Sequence, residues 1–286
     1  MNHITQWLQF FERLSCFYRE MFMLPLWYKY PNHTTDIWES LAIFLEGYAF
    51  ERQGRRPDYF PAAVDALFYC KQQNDNNFVP TVINNMIWQK FSQSLNNQNL
   101  NPKNNPLYPS TEDPNNLQNI NKRPSVIEFI INQNIVRNNL TLTSYLQNRI
   151  VQNNLNDVFN SLISIRGIGN KVASFFLRDL TDVMQINLTN IQHRKLLQPI
   201  DIWVERVVKI LSNNQHLNRA KVADWLFKFS IENNVSPERV NMGIWFFCSI
   251  IIVSEYKLNQ VLNKLNTAQD IANNYRNRLR NICNQC

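Results

Sequence analysis

Two of the five glycines in this 286-residue chain lie within three residues, Gly167-Ile168-Gly169, and Lys171 follows two positions later. Glycine adopts left-handed backbone angles without steric cost and lets another molecule approach the main chain, so the pair marks a very tight turn. The residues around it, Ser161 to Leu180, are apolar at helical spacing on both sides. A helix starting near Asn170 would aim its first N–H groups and the positive end of its dipole outward, which is the chemistry of a phosphate site. The same spacing also fits an ordinary helix–turn–helix connection punctuated by glycine, and spacing alone does not choose between them. Other reactive side chains are sparse. Cys283 and Cys286 form a C-x-x-C, half of a zinc or iron–sulfur site, while Cys16, Cys70, Cys248 and the four histidines are scattered. No His-rich motif or carboxylate cluster has metal-ligand spacing, so a metal-dependent endonuclease is the weakest reading.

Lys and Arg total 29 against 22 Asp and Glu, a net charge of +7 that favours an anionic partner, nucleic acid first, over an acidic small substrate. The longest apolar stretch, Ile244 to Val253, contains Ser249 and is too short to cross a bilayer, so no membrane association is expected. Near the N-terminus Phe10, Phe11 and Phe17 are interspersed with Glu12, Arg13, Arg19 and Glu20, unlike a secretory signal. An odd number of scattered cysteines fits a reducing compartment, and the expected location is cytoplasmic, with the nucleoid.

The elements that must position the turn read as helices. Glycines are few, prolines cluster, and no segment sustains the two-residue alternation of a half-buried strand, so the expected fold class is all-α. Between Asp36 and Phe50, Ile37, Leu41, Phe44, Leu45 and Tyr48 recur at helical spacing; a turn at Gly54 and Pro57 then leads to a second helix from about Pro61 to Lys71. Residues 93–124 are dense in Asn and Pro and are expected to form a long loop that buries little. Helices resume near Ser125. The length suits two lobes in one unit spanning 1–286, the hairpin lobe covering about 125–210 and the N- and C-terminal helices forming the other.

The segment Arg166-Gly167-Ile168-Gly169-Asn170-Lys171-Val172-Ala173 resembles the h-x-G-I-G-x-K-V-A hairpin of the helix-hairpin-helix DNA glycosylases. Downstream, Pro199-Ile200-Asp201-Ile202-Trp203-Val204-Glu205-Arg206 is similar to the P-h-D-x-x-V-x-R context in which that family carries an aspartate. The 30 residues from Lys171 to Asp201 exceed the gap of the endonuclease-III-like and eukaryotic 8-oxoguanine enzymes, with Thr181 to Leu197 as extra length, and lie nearer the archaeal 8-oxoguanine glycosylase branch. Glu46-Gly47-Tyr48-Ala49-Phe50-Glu51-Arg52-Gln53-Gly54 resembles an early helix of that branch. Glu232 to Pro237, followed by Asn241 and Trp245, resembles its E-x-G-I-x-P segment and the tryptophan helix behind it.

This resemblance implies a two-lobed glycosylase fold with the site in the inter-lobe cleft, acting as a monomer on double-stranded DNA that contains a damaged or modified base. It implies Lys171 as nucleophile and Asp201 as the carboxylate that stabilises the cationic sugar, with lyase activity through a Schiff base. Phosphate contacts fall on the backbone of Gly167, Gly169 and Lys171; Arg206 either contacts phosphate too or pairs near Glu205 on the solvent face. Base contacts fall on Phe175, one helical turn beyond Lys171, and on Asn241 and Trp245. The carbonyls of Ile163, Ile165 and Ile168 match those that hold a structural monovalent cation in the family; no iron–sulfur cluster or other cofactor is implied. Two departures open the substrate. The family histidine two residues after the aspartate is Trp203, and the acidic residue four before the stacking tryptophan is Asn241, which offers a donor as well as an acceptor. The candidates are therefore 8-oxoguanine and a bulky modified base such as the glucosylated hydroxymethylcytosine of phage DNA, which would make the chain an antiviral defence enzyme. The alternative is a non-catalytic protein that uses the hairpin for DNA binding alone; a carboxylate beside DNA argues against it unless it has a chemical role.

Overall fold

The computed structural model describes residues 3–50, 59–101, 105–110 and 123–283, with side chains described through residue 277. The protein is all-α, and no strand occurs among the described residues. Its helices are α1 (His3–Tyr18), α2 (Leu24–Lys29), α3 (Ile37–Phe44), α4 (Tyr59–Gln73), α5 (Pro80–Asn97), α6 (Val126–Asn132), α7 (Leu142–Val151), α8 (Leu155–Ser164), α9 (Asn170–Val183), α10 (Ile202–Leu211), α11 (Arg219–Glu232), α12 (Pro237–Phe246), α13 (Glu255–Val261) and α14 (Leu265–Cys283). Three helices continue or begin through a wider π turn, at Arg19–Met23, Leu45–Ala49 and Phe247–Ile252. No described helix is long and apolar enough to cross a membrane.

The scarcity of glycine has a structural counterpart. Ten described non-glycine residues have positive φ, and seven of them are asparagines, at positions such as Asn134, Asn153 and Asn213 just past helix ends. Asn tolerates the left-handed region better than other side chains, so it closes helices here where glycine commonly does.

The chain divides into two compact units. One comprises residues 1–24 and 194–286, the other residues 25–193, so Asp201 belongs with the terminal helices and not with the hairpin, a division earlier than the boundary near 210 expected from sequence. In the terminal unit α1 lies against α12. A Cβ on Gly243 would fall 1.8 Å from the Phe11 carbonyl oxygen, so only glycine permits this backbone approach. Around the crossing, Trp7, Phe10, Phe11, Val204, Val207, Val240, Ile244 and Phe247 form one buried cluster. Phe10 and Phe11 meet Phe247 at 5.3 and 5.9 Å between ring centroids.

In the hairpin unit Leu155, Val158, Phe159 and Leu162 of α8 and Val172, Ala173, Phe176, Leu177 and Leu180 of α9 are buried, at the spacing of one helical face. Phe176 lies at the centre of an aromatic group with Trp27, Phe44 and Tyr48, 4.9 to 6.3 Å away. His33 is buried beside α7, its Nδ1 3.2 Å from Thr143 Oγ1, while its carbonyl accepts from the hydroxyls of Thr141 and Thr143. Burial holds its imidazole below the usual histidine pKa, partly offset by Glu39.

The Asn/Pro-rich stretch is not a loop throughout. Helix α5 runs to Asn97, and residues 105–110 pack closely: Asn105 and Leu107 are buried, and Tyr108 lies 4.7 Å from Trp88. The expectation of little burial is corrected there because Leu107 and Tyr108 bring apolar surface that the Asn-rich average conceals. Residues 102–104 and 111–122, like the turn at Gly54 and Pro57, lie outside the described residues.

Candidate functional site

The sequence-expected turn begins where α8 ends. Ile165 and Ile168 are buried, and the Ile168 amide donates to the Ile165 carbonyl at 3.1 Å, which occupies one lone pair of an oxygen expected to face a cation. Gly167 takes φ 78°, the left-handed region that its lack of a Cβ allows. Gly169 differs: it caps α9 at φ −117°, an angle any residue adopts, and a Cβ built there meets nothing within 4 Å. Neither the backbone angle nor the packing of the described residues requires glycine at 169. The amides of Asn170, Lys171 and Val172 precede the first intrahelical bond of α9, from Ala173 N–H to the Gly169 carbonyl.

The turn is held from outside by Arg166. Its amide donates to the Pro124 carbonyl at 2.8 Å, its Nη2 to the Arg123 carbonyl at 3.2 Å, and its guanidinium lies 5.1 Å from the Tyr108 ring. The residues flanking α6 thus brace the hairpin. Lys171, second residue of α9, is half-buried, and Phe175 and Arg178 follow it on the same face at i+4 and i+7. Phe175 is half-buried, edge-on to Tyr48 at 5.0 Å, with the Arg178 guanidinium 5.0 Å from its ring. Arg178 pairs with Asp179 at 2.8 Å, both side chains almost fully buried; Tyr48 donates its hydroxyl to Asp179 and accepts from the Trp27 indole N–H at 2.9 Å. This charged network was not foreseen. Its signal was an Arg-Asp pair flanked by apolar residues, Phe175-Phe176-Leu177 before it and Leu180 after it, a context that buries charges only as partners.

In the other unit, Asp201 caps α10. Its Oδ1 accepts from the Trp203 and Val204 amides, both at 2.9 Å, fixing the carboxylate at the positive end of the helix. The turn before it is fixed by Asn241, which is 1% exposed and donates from Nδ2 to the Pro199 carbonyl at 3.2 Å. Asn241, expected to read a base, meets through this bond the segment that carries Asp201. Cys248, fully buried on the π turn after α12, has its thiol pushed well above the ordinary cysteine range by burial and by the negative charge of Asp201, with Arg206 opposing. Arg206, expected at phosphate, pairs with Glu255 at 2.6 Å and lies 5.3 Å from the Trp203 ring. Trp245 is half-buried and stands edge-on to Tyr18 and Phe22, at 5.6 and 5.5 Å with interplanar angles of 81° and 84°.

Among the described residues no three His, Cys, Asp or Glu side chains converge as a metal site. The C-x-x-C at Cys283 and Cys286 lies beyond the described side chains.

No protein-family model matches the chain, and no solved structure matches it. The chain is similar to an uncharacterized protein of Methanocaldococcus jannaschii, MJECL21, with 28% identity over 220 residues, 73% of this chain and 49% of that protein. The chain therefore spans about half the length of this curated relative.

Proposed function

We propose that this chain is a DNA glycosylase with associated lyase activity, in which Lys171 and Asp201 act together in a cleft between the two lobes of a helix-hairpin-helix fold. The observation that carries the reading is the hairpin itself. It combines a left-handed Gly167, a Gly169 that faces open space for no internal reason, and a helix whose first amides are followed at its second position by a lysine. A DNA phosphate fits such a helix start through hydrogen bonds and dipole alike. Asp201, the carboxylate the resemblance pairs with this lysine, is held rigidly by two backbone amides.

The target nucleotide must leave the stack, because its glycosidic carbon is unreachable inside the duplex. The Lys171 amine attacks C1′, and the bond to the base breaks with its electron pair, the departing base taking up a proton and the new C1′–nitrogen centre losing one. The carboxylate of Asp201 stabilises positive charge on the sugar as this happens, as carboxylates do in glycoside hydrolysis. Protonation of O4′ as the C1′–O4′ bond breaks opens the sugar ring and leaves a protonated Schiff base between Lys171 and C1′. Abstraction of a C2′ proton then expels the 3′ phosphate. Phe175 and Trp245 offer aromatic surface for the extruded base. The base is 8-oxoguanine or a bulky modified cytosine, and in the second case the role is defence against phage.

The test is borohydride trapping on duplexes carrying 8-oxoguanine, uracil, alkylated bases or glucosylated hydroxymethylcytosine. A covalent adduct lost in Lys171→Ala, with base release strongly reduced in Asp201→Asn, is the expected result. Tight binding without adduct or abasic sites on any duplex would replace this reading with that of a non-catalytic DNA-binding protein.

A further inference from the structure

Arg178 is an interior charge placed against an aromatic ring that reaches the surface. Its guanidinium lies 5.0 Å from the centroid of Phe175, and its Nε and Nη2 donate to Asp179 Oδ1 at 2.9 and 2.8 Å. Arg178, Asp179 and Tyr48 are each 1% exposed, whereas Phe175 is half-buried. Tyr48 locks the group from the side, standing edge-on to Phe175 at 5.0 Å and donating to Asp179 Oδ2 at 3.1 Å. The cation is therefore fixed against an interior face of the ring. The part of Phe175 that solvent reaches belongs to the face of α9 that carries Lys171, one turn away.

Burying an ion pair costs the desolvation of two charges, and apolar residues of similar volume in its place commonly leave stability unchanged or improved. Folding alone gives little reason for a charge at 178. Its position against Phe175 gives one. An aromatic ring carries negative charge on both faces, and a cation held on one face draws density away from the other. Seen from a distance the Arg178–Asp179 pair is neutral, but at the ring it is the guanidinium that makes contact. The outer face of Phe175 thus still stacks on a neutral base and is a poor partner for a cationic one. Resting on the glycosylase reading, we infer that Arg178, acting through the Phe175 ring, is a specificity-determining residue: extruded bases that are neutral are accepted, and purines alkylated to cations are rejected. Both candidate bases, 8-oxoguanine and a modified cytosine, belong to the accepted class.

The experiment uses the full chain and two duplexes that differ in a single charge. One carries 7-methylguanine, a cation in mildly acidic buffer, and the other its neutral isostere 7-methyl-7-deazaguanine. Each base stands opposite a tetrahydrofuran abasic analogue, so that extrusion breaks no base pair, and each is a 2′-fluoroarabino nucleotide, which resists excision. Wild type should bind the neutral duplex about 10-fold more tightly than the cationic one. Arg178→Met combined with Asp179→Asn removes the pair together, leaves no lone buried charge and keeps an acceptor for Tyr48; the ratio of affinities should fall to about 1 or below. Phe175→Leu leaves the pair buried and should bring the ratio to about 1 as well, so the inference stays testable if the double variant does not fold. A pair with only a structural role would change the urea unfolding midpoint and leave the ratio where it was. A wild-type ratio near unity, or one that survives both sets of substitutions, would overturn the role of Arg178 while the glycosylase reading still stood on the Lys171 adduct. Failure of wild type to bind either duplex would remove the DNA reading and this inference with it.

Discussion

Gly169 and Gly243 occupy opposite situations. At Gly243 an added Cβ would collide with the Phe11 backbone; at Gly169 it would meet nothing. The first glycine serves the packing of α1 on α12, and through it the placement of Asn241 and Trp245 on either side. The second has no such contact among the described residues, and an added Cβ there would stand in open space. The surroundings of the two candidate catalytic residues differ in the same way. The hairpin that carries Lys171 is built from consecutive residues, 155–183. The turn that carries Asp201 meets Asn241, 42 residues away, which donates to its Pro199 carbonyl. Lys171 sits in an element built locally, Asp201 in one built from distant residues.

Substitutions can separate these roles. The largest effect is expected at Gly243: replacement by Ala forces α1 away from α12 and should destabilise by about 3 kcal/mol or more, read from urea unfolding midpoints. An unchanged midpoint would mean that the crossing relaxes freely and that Gly243 does not fix α12. Asp201→Ala removes the cap of α10 and should lower stability by about 1–2 kcal/mol. Asp201→Asn keeps a capping oxygen and should stay within about 0.5 kcal/mol of wild type while base release falls sharply, which divides the structural from the chemical role of the same carboxylate. Equal activity of the Asn variant would restrict Asp201 to capping.

Acid should act first on the hairpin unit. His33 is buried with a lowered pKa, so the unfolded chain takes up its proton more readily than the folded one. The stability this histidine contributes is present above the unfolded value of about 6.5 and is lost as pH falls below it through the lower folded pKa. Hydrogen exchange should show the amides around α7 weakening below about pH 6 before those of α12, and His33→Gln should flatten that dependence. The smallest stability effect is expected at Gly169. Gly169→Ala should leave the unfolding midpoint within about 0.5 kcal/mol while weakening duplex binding about 10-fold, since the new methyl group lies only in the path of the ligand. A stability loss comparable to that at Gly243 would show that the hairpin glycine is structural after all.

Those contrasts also mark what sequence could convey. The all-α class, the start of α9 at Asn170 and the buried faces of α8 and α9 were legible because each depends on neighbours three or four residues apart. The hairpin was legible for the same reason, as two glycines and a lysine in five consecutive positions. The packed segment 105–110 was not, because a few apolar residues were averaged into an Asn-rich window.

What the chain could not announce in its spacing is what distant residues do for one another. Asn241 donates to the Pro199 carbonyl 42 residues away, a contact that no local spacing signals. Arg206 pairs with Glu255, and the buried Arg178–Asp179 pair receives a hydrogen bond from Tyr48, itself bonded to Trp27. Local periodicity determined the helices and the hairpin of this protein, because both arise from interactions within a turn or two of the chain. Partners for buried polar groups were decided by tertiary structure, because charge and burial are settled by residues that meet only when the chain has folded.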